Sequence, residues 1–584
     1  RRGARMSFLG VTRSLTGRAW FGPDAQTCRQ AEALARAGGL PDPLARVLAR
    51  RGVGAGELAD HLAPTLRAFL PDPATLCDMT RAGARLCAGV ERGERIAVFA
   101  DYDVDGGASA ALLLTWLRAL GREATLYVPD RLAEGFGPNA PAMRRLAGDH
   151  DLILCVDCGT LAHEALAAAE GADVIVIDHH LPGETLPPAH ALVNPNRRDD
   201  DGRFGHLCAA AVVFLLLVEA TRRRRAAGLS GPDLTGMLDL VALATVADVA
   251  PLTGVNRALV RQGLTVMARG ARPGLAALAE AAGLAGAPTT YHLGFVLGPR
   301  VNAGGRIGRP DLGARLLSTT DPAEAAALAS RLETLNEERR GVERTVRAGA
   351  EAAADALGAE APLLWAAGAG WHPGVVGIVA ARLVERGGRP AVVLGVEDGV
   401  AKGSGRSVPG IDLGRAVHRL AEEGLIDKGG GHEMAAGLTL PEASLPPAMA
   451  RLGALLAAQG AGPGAARPLA LDGALMPAAA DATLIEALDR AGPFGAGAPA
   501  PRFAFPDLAI RHVRRVGEDH LRLTAEGETG ARLEAIGFGL AGGPVGQALS
   551  AHRGARFHLA GRLVPDRWRG GGAVELRLED AAHA

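Results

Sequence analysis

From Arg95 onward, short apolar runs alternate with helix-length segments rich in alanine and leucine. The runs are Ile96-Ala-Val-Phe, Thr125-Leu-Tyr-Val, Leu152-Ile-Leu-Cys-Val and Val174-Ile-Val-Ile; between them lie Ala110 to Leu120, Ala140 to Ala147 and Leu161 to Glu170. This rhythm predicts βαβ units, and therefore a parallel sheet with helices on both faces. Continuous apolar strands of this kind are buried on both sides. In such sheets ligands bind beyond the carboxyl ends of the strands, so the residue after each apolar run is where chemistry is expected.

The pattern from about Gly205 to Leu317 is mostly helical, and Asp321 to Leu357 predicts one long charge-laced helix. A second α/β unit follows, with strands at Leu363-Leu-Trp-Ala, Pro390 to Leu394, Val400 to Ser404 and Ala435 to Leu440, and helices after His372-Pro373 and from Asp412. Beyond the small-residue linker Gly460-Ala-Gly-Pro-Gly-Ala-Ala-Arg-Pro, alternation at Ala509 to Val513, Leu521 to Thr524, Leu533 to Ile536 and Phe557 to Ala560 predicts a small β-barrel. The expected organisation is a helical region over 1–80, a first α/β domain over 81–320, a connecting helix over 321–358, a smaller α/β domain over 359–460 and a barrel over 461–584.

Composition narrows the class. In 584 residues, 48% are hydrophobic and 22% charged, which excludes a disordered tail protein and a small disulfide scaffold. The balance of 63 basic against 64 acidic residues gives a net charge of −1, so a polyanion partner has to be met by local patches. All but two of the basic residues are arginine, the lysines being Lys402 and Lys428. Six cysteines without a regular framework fit a reducing cytoplasm. The longest apolar stretch, Leu207 to Val218, falls short of the roughly 18 residues that span a bilayer, which predicts no membrane association. The Arg-rich beginning lacks a secretory apolar core, and Met6 is a candidate start.

At the strand ends, acids and histidines collect. After the first run come Asp101, Asp103 and Asp105, followed by Gly106 and Gly107; after the third comes Asp157, after the fourth Asp178-His179-His180, and the helical run Leu238 to Ala247 ends at Asp248. A lone Asp at such a place is ordinarily a helix N-cap. Several in register on one sheet edge repel one another unless a cation sits among them, and mixed oxygen and nitrogen donors suit Mn²⁺ or Mg²⁺ better than a closed zinc site. Cys155 and Cys158 form a Cys-x-x-Cys, but Cys155 lies inside an apolar strand and no second pair exists, so buried thiols are expected. In the second unit, Lys402-Gly-Ser-Gly-Arg-Ser offers close backbone approach, the Ser404 hydroxyl and the Arg406 fork to a phosphate. The segment Gly370 to Gly377 opens a helix that either receives an anion or simply packs. The arginine run 222–225 reads as a solvated helix end.

Asp101-Tyr-Asp-Val-Asp-Gly, Val156-Asp157-Cys-Gly, Asp178-His-His and Ala247-Asp248-Val resemble four successive motifs of the DHH phosphoesterase superfamily. Gly298-Pro-Arg-Val-Asn-Ala-Gly-Gly-Arg306 and Gly429-Gly-Gly-His-Glu-Met-Ala-Ala-Gly437 are similar to those of its RecJ branch, single-strand-specific 5′→3′ DNA exonucleases. The resemblance implies a parallel-sheet DHH catalytic domain, a DHH-associated substrate domain and an OB-like barrel. It implies two ions, Mn²⁺ or Mg²⁺. Asp103 and Asp105 would each ligate one, Asp157 would bridge them, His179 and Asp248 would complete the second, and His180 would act catalytically at the scissile phosphate. Relatives carry a His at the position of Phe99, and Asp101 is expected to replace it. Ser404 and Arg406 would hold the 5′ phosphate, with His432 and the Gly429–Gly431 loop nearby. Arg131, and Arg300, Asn302 and Arg306 in a Gly-rich loop, would line the DNA path as phosphate contacts. Barrel arginines and Trp568 are further candidates for strand contact.

The implied activity is hydrolysis of single-stranded DNA to 5′ mononucleotides in recombination and repair, with single-strand-binding protein and a helicase as expected partners. Two other readings stay open on sequence alone. One is a phosphodiesterase for short oligonucleotides or cyclic dinucleotides; the other is a non-catalytic DNA-binding scaffold.

Overall fold

The computed structural model describes residues 7–131, 133–462, 468–566, 569–570 and 572–584, so Met6, Trp568 and most of the 460–468 linker lie outside the described residues. The chain forms two compact bodies, one built from Gly22–Leu335 with Ala470–Ala584, the other from Arg1–Phe21 with Asn336–Leu469.

In the first body, β1 (Ile96–Ala100), β2 (Ala124–Tyr127), β3 (Leu152–Val156), β4 (Asp173–Ile177) and β5 (Ala191–Val193) make a parallel sheet in the order β2-β1-β3-β4-β5. The strand β5 extends the sheet beyond the four predicted. Alternate residues of β1 feed opposite layers: Ile96, Val98 and Ala100 join one apolar cluster, and Ala97 and Phe99 the other. Burial of both faces is why these runs are continuously apolar rather than alternating. Phe99 packs its ring 5.2 Å from that of Tyr127 and offers no ligand atom.

Helices α1 (Val104–Ala119), α2 (Ala209–Ala226) and α3 (Leu238–Ala247) pack on the Val98 face. The first begins six residues earlier than the apolar pattern indicated, at the acidic motif itself, whereas the expected helix over Leu161 to Glu170 shrinks to His163–Ala167. In α2 the arginine run is not simply solvated. Arg222 and Arg223 both pair with Glu219, whose side chain is almost fully buried, and Arg222 also reaches Asp72. Arg300, Asn302 and Arg306 occupy a helix, α4 (Gly298–Ile307), rather than the expected loop. The long helix α5 runs without a break over Pro322–Ala356.

The carboxyl-terminal segment of this body is a barrel. Strands β11 (Phe503–Val516), β12 (His520–Glu526), β13 (Arg532–Gly537), β14 (Arg556–Pro565) and β15 (Val574–His583) pair in the order β11-β12-β13-β15-β14, and β14 closes back on β11. Along β12, Leu521, Leu523 and Ala525 are buried and their neighbours are not, the period-two pattern of a strand with one face inward.

The second body holds β6 (Leu364–Ala369), α6 (Pro373–Gly387), β7 (Ala391–Glu397), β8 (Val400–Arg406), α7 (Leu413–Glu422), β9 (Lys428–His432) and β10 (Ala435–Pro441). Its sheet order is β9-β10-β8-β7-β6. The Gly429–Gly431 segment, expected as a loop, is an edge strand paired residue by residue with β10. No described helix is long and apolar enough to cross a membrane.

Candidate active site

The acids converge because the chain places each at an element end. Asp101 follows β1. Asp103 is the N-cap of α1, its Oδ1 accepting the Asp105 and Gly106 N–H groups at 2.8 and 3.1 Å. The N-cap geometry expected of a lone Asp is therefore present, and it leaves Oδ2 without a capping duty. Asp105 lies in the first turn of α1, and its two oxygens accept the N–H groups of Ala209 and Ala210, at 2.7 and 2.8 Å, at the start of α2. Asp157, just past β3, adopts a left-handed backbone with φ of 59°, which Asp tolerates better than most side chains. His179 and His180 follow β4, and Asp248 caps the end of α3.

Ligand-type atoms of three sets lie close enough for each set to hold a cation: Asp101, Asp103 and Asp157; Asp105, His179 and Asp248; and Asp157, His179 and His180. His179 Nε2 is 3.3 Å from Asp157 Oδ1 and 3.7 Å from Asp105 Oδ2, while its Nδ1 is 3.9 Å from Asp248 Oδ2. Every proposed acid and both histidines meet in this one cluster.

Electrostatics separates ligands from supports. Burial, and then repulsion by neighbouring acids, pushes the Asp101 and Asp157 carboxyls well above the usual range. Asp248 is raised by the same causes to about 8. One oxygen of Asp101 and one of Asp157 are buried without any hydrogen-bond partner. Such groups are costly unless a cation satisfies them, and the oxygen-rich donor set with imidazole nitrogens suits Mn²⁺ or Mg²⁺. Cys155 and Cys158 are buried and free, and neither belongs to the three sets.

Asp178 behaves oppositely. Burial alone would raise its pKa, but hydrogen bonds outweigh it and hold the carboxyl well below the usual range. Oδ1 accepts the His179 and His180 N–H groups and His180 Nδ1, at 2.7, 3.2 and 2.7 Å, and Oδ2 accepts the Thr160 N–H at 3.0 Å. It orients the His180 imidazole and holds the backbone that carries His179. Asn194 and Asn196 extend this support, donating to the His180 and His179 carbonyls at 2.8 and 2.5 Å. Neither asparagine carried a sequence signal beyond proximity to a strand end.

Of the residues expected on the DNA path, Arg131 stacks its guanidinium 5.3 Å from the ring centre of Tyr102, between Asp101 and Asp103 in the chain. Arg306 acts electrostatically on the same tyrosine. Asn302 Oδ1 accepts the Val104 N–H at 2.9 Å and so pins the start of α1. Arg300 is buried, ion-paired with Glu333 of α5 and donating to the Val296 carbonyl, so its guanidinium is committed within the fold.

In the second body, Lys402, Ser404 and Arg406 alternate along β8 and share one strand face. Arg406 donates to Ser404 Oγ at 2.7 Å. A Cβ added to Gly377 of α6 would lie 3.0 Å from Arg406 and 3.1 Å from Ser404, so the helix approaches this pair closely through a glycine. His432, at the end of β9, is exposed.

Known proteins are similar to this chain over nearly its whole length. Family models match over 95–245 (DHH family, N-terminal domain), 360–458 (DHHA1 domain) and 471–580 (RecJ OB domain). The chain is 36% identical over 563 residues to the single-stranded-DNA-specific exonuclease RecJ of Escherichia coli (strain K12), covering 93% of this chain and 96% of that one. It is 33% identical over 549 residues to that of Bacillus subtilis (strain 168), covering 92% and 68%. The crystal structure of RecJ in complex with Mn²⁺ from Thermus thermophilus superposes with a TM-score of 0.81 and 32% identity over 96% of this chain and 79% of that one. A second, with Mg²⁺, gives 0.75. Identity at this level across nearly the whole of such relatives, in a chain whose cluster uses the DHH motif acids and histidines, places this protein in the RecJ family of the DHH phosphoesterase superfamily.

Proposed function

We propose that this chain is a single-strand-specific DNA exonuclease that hydrolyses from the 5′ end and releases 5′ mononucleotides, using two divalent cations, Mn²⁺ or Mg²⁺. The observation that carries the reading is the convergence of five carboxylates and two imidazoles with two buried carboxylate oxygens that accept no hydrogen bond. Asp101, Asp103 and Asp157 would hold one ion, and Asp105, Asp157, His179 and Asp248 the other, with Asp101 taking the place that Phe99 cannot fill. Bound ions supply Lewis acidity, which neutralises charge developing on the phosphoryl oxygens and lowers the pKa of water.

The protein's own residues orient the reaction. Asp178 fixes the His180 ring through Nδ1, so that Nε2 is the atom offered to a phosphate oxygen. Arg131 and Arg306 contact the strand's phosphates near Tyr102, while Asn302 and Arg300 act through the helix that carries them. Ser404 and Arg406, with His432, receive the 5′ phosphate. A role in recombination and repair, work in the cytoplasm, and cooperation with single-strand-binding protein and a helicase rest on the family alone.

A time course on one single strand labelled at either end tests the reading, run with Mn²⁺, with Mg²⁺ and with chelator. The 5′ label is expected to leave at once as a mononucleotide while the 3′ label marks progressively shorter products, and chelator should silence both. Early release of the 3′ label would refute the polarity; cleavage of only very short oligonucleotides or cyclic dinucleotides would replace the substrate class.

Replacing Arg406 with alanine removes a charge-assisted fork and is expected to lower the preference for a 5′-phosphorylated over a 5′-hydroxyl strand by about tenfold. Paired kcat/KM measurements on the two strands check this. An equal loss on both would show that Arg406 does not read the terminal phosphate.

A further inference from the structure

On the turn before α4 stands an apolar feature that the hydrolytic site does not use. Tyr291 and Phe295 are 56% and 65% exposed, yet their rings stack on each other, centroids 5.2 Å apart and planes inclined by 26°. Scattered exposed apolar residues are ordinary on a protein surface; a preassembled pair of bare aromatic rings is not. The pair sits on the short helix Thr290–His292 and the π-helical turn Leu293–Leu297, which leads directly into α4. Turns of this kind are rare, and are frequent at functional sites.

The turn is anchored to the element that carries Asp248. A Cβ at Gly294 would meet Val246 at 3.4 Å, and one at Gly298 would meet Ala247 at 3.3 Å, so the ring-bearing turn packs against the last residues before Asp248. On its other side the chain continues into the helix of Arg306. The turn that carries the rings thus stands between the helix end leading to Asp248 and the helix of Arg306.

We propose that Phe295 and Tyr291 form a base-stacking platform, on which a nucleobase of the bound single strand lies flat. This deepens the exonuclease reading and rests on it, naming residues that position the strand by its bases rather than its phosphates. Stacking suits an enzyme that must accept any sequence, because every base presents a π-face. The occupant is a nucleobase rather than an apolar side chain of a partner protein, because the turn that carries the pair packs on the helix end that presents Asp248 to the acid cluster.

The test is equilibrium binding of a fluorescent single strand carrying phosphorothioate linkages at its 5′ end, which slow its hydrolysis, to the full-length protein. Phe295→Ala and Phe295→Leu are each expected to raise Kd about tenfold, with Phe295→Trp restoring it. The slope of log Kd against log salt should not change, since no phosphate contact is lost. An abasic residue scanned along the strand should weaken wild-type binding at one position and add nothing in Phe295→Ala at that position. Unchanged Kd in Phe295→Ala, tight binding by Phe295→Leu, or an abasic penalty fully additive at every position would each overturn the platform. If the strand binds with this pattern but the wild-type protein never hydrolyses its unmodified counterpart, the exonuclease reading fails and the stacking site stands.

Discussion

Replacing Asp157 with asparagine is expected to abolish hydrolysis, by at least about three orders of magnitude in kcat, and at the same time to raise the melting temperature of the cation-free protein. Asp157 belongs to two of the three cation-competent sets and stands at 3.3 Å from His179. No other side chain of the cluster is so shared apart from His179, so its loss would disturb both of the proposed ions. The stabilisation has a separate origin. Without a cation, this carboxylate is buried against Asp101, Asp103 and Asp105 with one oxygen accepting no hydrogen bond. Asparagine removes the charge, keeps nearly the same shape and is at home in the left-handed backbone that Asp157 adopts. Removing a buried charge that its neighbours repel is worth on the order of 1 to 3 kcal/mol, so a rise of a few degrees is expected. Thermal scans with chelator and with Mn²⁺ check the point. The variant should be the more stable in chelator and the less stable in Mn²⁺. A wild-type protein that outlasts it under both conditions would mean that the acids are not held in mutual repulsion.

The second large effect comes from a residue with no side chain. A Cβ on Gly106 would lie 2.7 and 2.8 Å from the carbonyl carbon and nitrogen of Asp101, and closer still to its oxygen. All three are backbone atoms and cannot swing aside. Overpacking usually costs about 1 to 3 kcal/mol, and here the only relief is to drive the end of β1 away from the start of α1. Asp101 lies on one side of that gap and Asp103 and Asp105 on the other. Gly106→Ala is therefore expected to lose both activity and the stabilisation by Mn²⁺. Its neighbour is the control. A Cβ on Gly107 would come no nearer than 3.4 Å, to Ala314, which is ordinary contact, and alanine favours a helix by up to about 1 kcal/mol over glycine. Gly107→Ala should keep full activity and match or exceed the parent in melting temperature. Equal tolerance of both substitutions would show that the strand end and helix start are not packed as tightly as the geometry requires.

The strands β1, β3 and β4 were legible because burial on both faces writes them as unbroken apolar runs, and the acids at their ends were legible because a parallel sheet gathers those ends at one edge. The strand Ala191–Val193 was not, being three residues long and added at the sheet's margin. Glycines misled in two places. In α4 they read as a loop, whereas Gly298, Gly304 and Gly305 are the points where the helix presses against the Leu293 carbonyl, the Arg309 carbonyl and Tyr102. In β9 they read as a flexible loop, whereas pairing with β10 holds them extended. Local propensity counts glycine as a breaker, and only tertiary packing shows that it permits close approach. The role of Asp178 was hidden for another reason. It shares the motif with two histidines, and spacing cannot reveal that its oxygens are already occupied by four donors.

The order of residues in the first body also bears on how the chain is made. Its acid cluster is complete once Asp248 has been synthesised, and its framework once Leu335 has, but the barrel of the same body begins only after Leu469, when the whole second body has been translated. A nascent chain therefore passes through a stage in which every candidate ligand is present and the barrel is absent. Release of a chain broken off between those points leaves a cation-binding body without its barrel, and cations that gather the acids early would help that body wait for the piece that completes it.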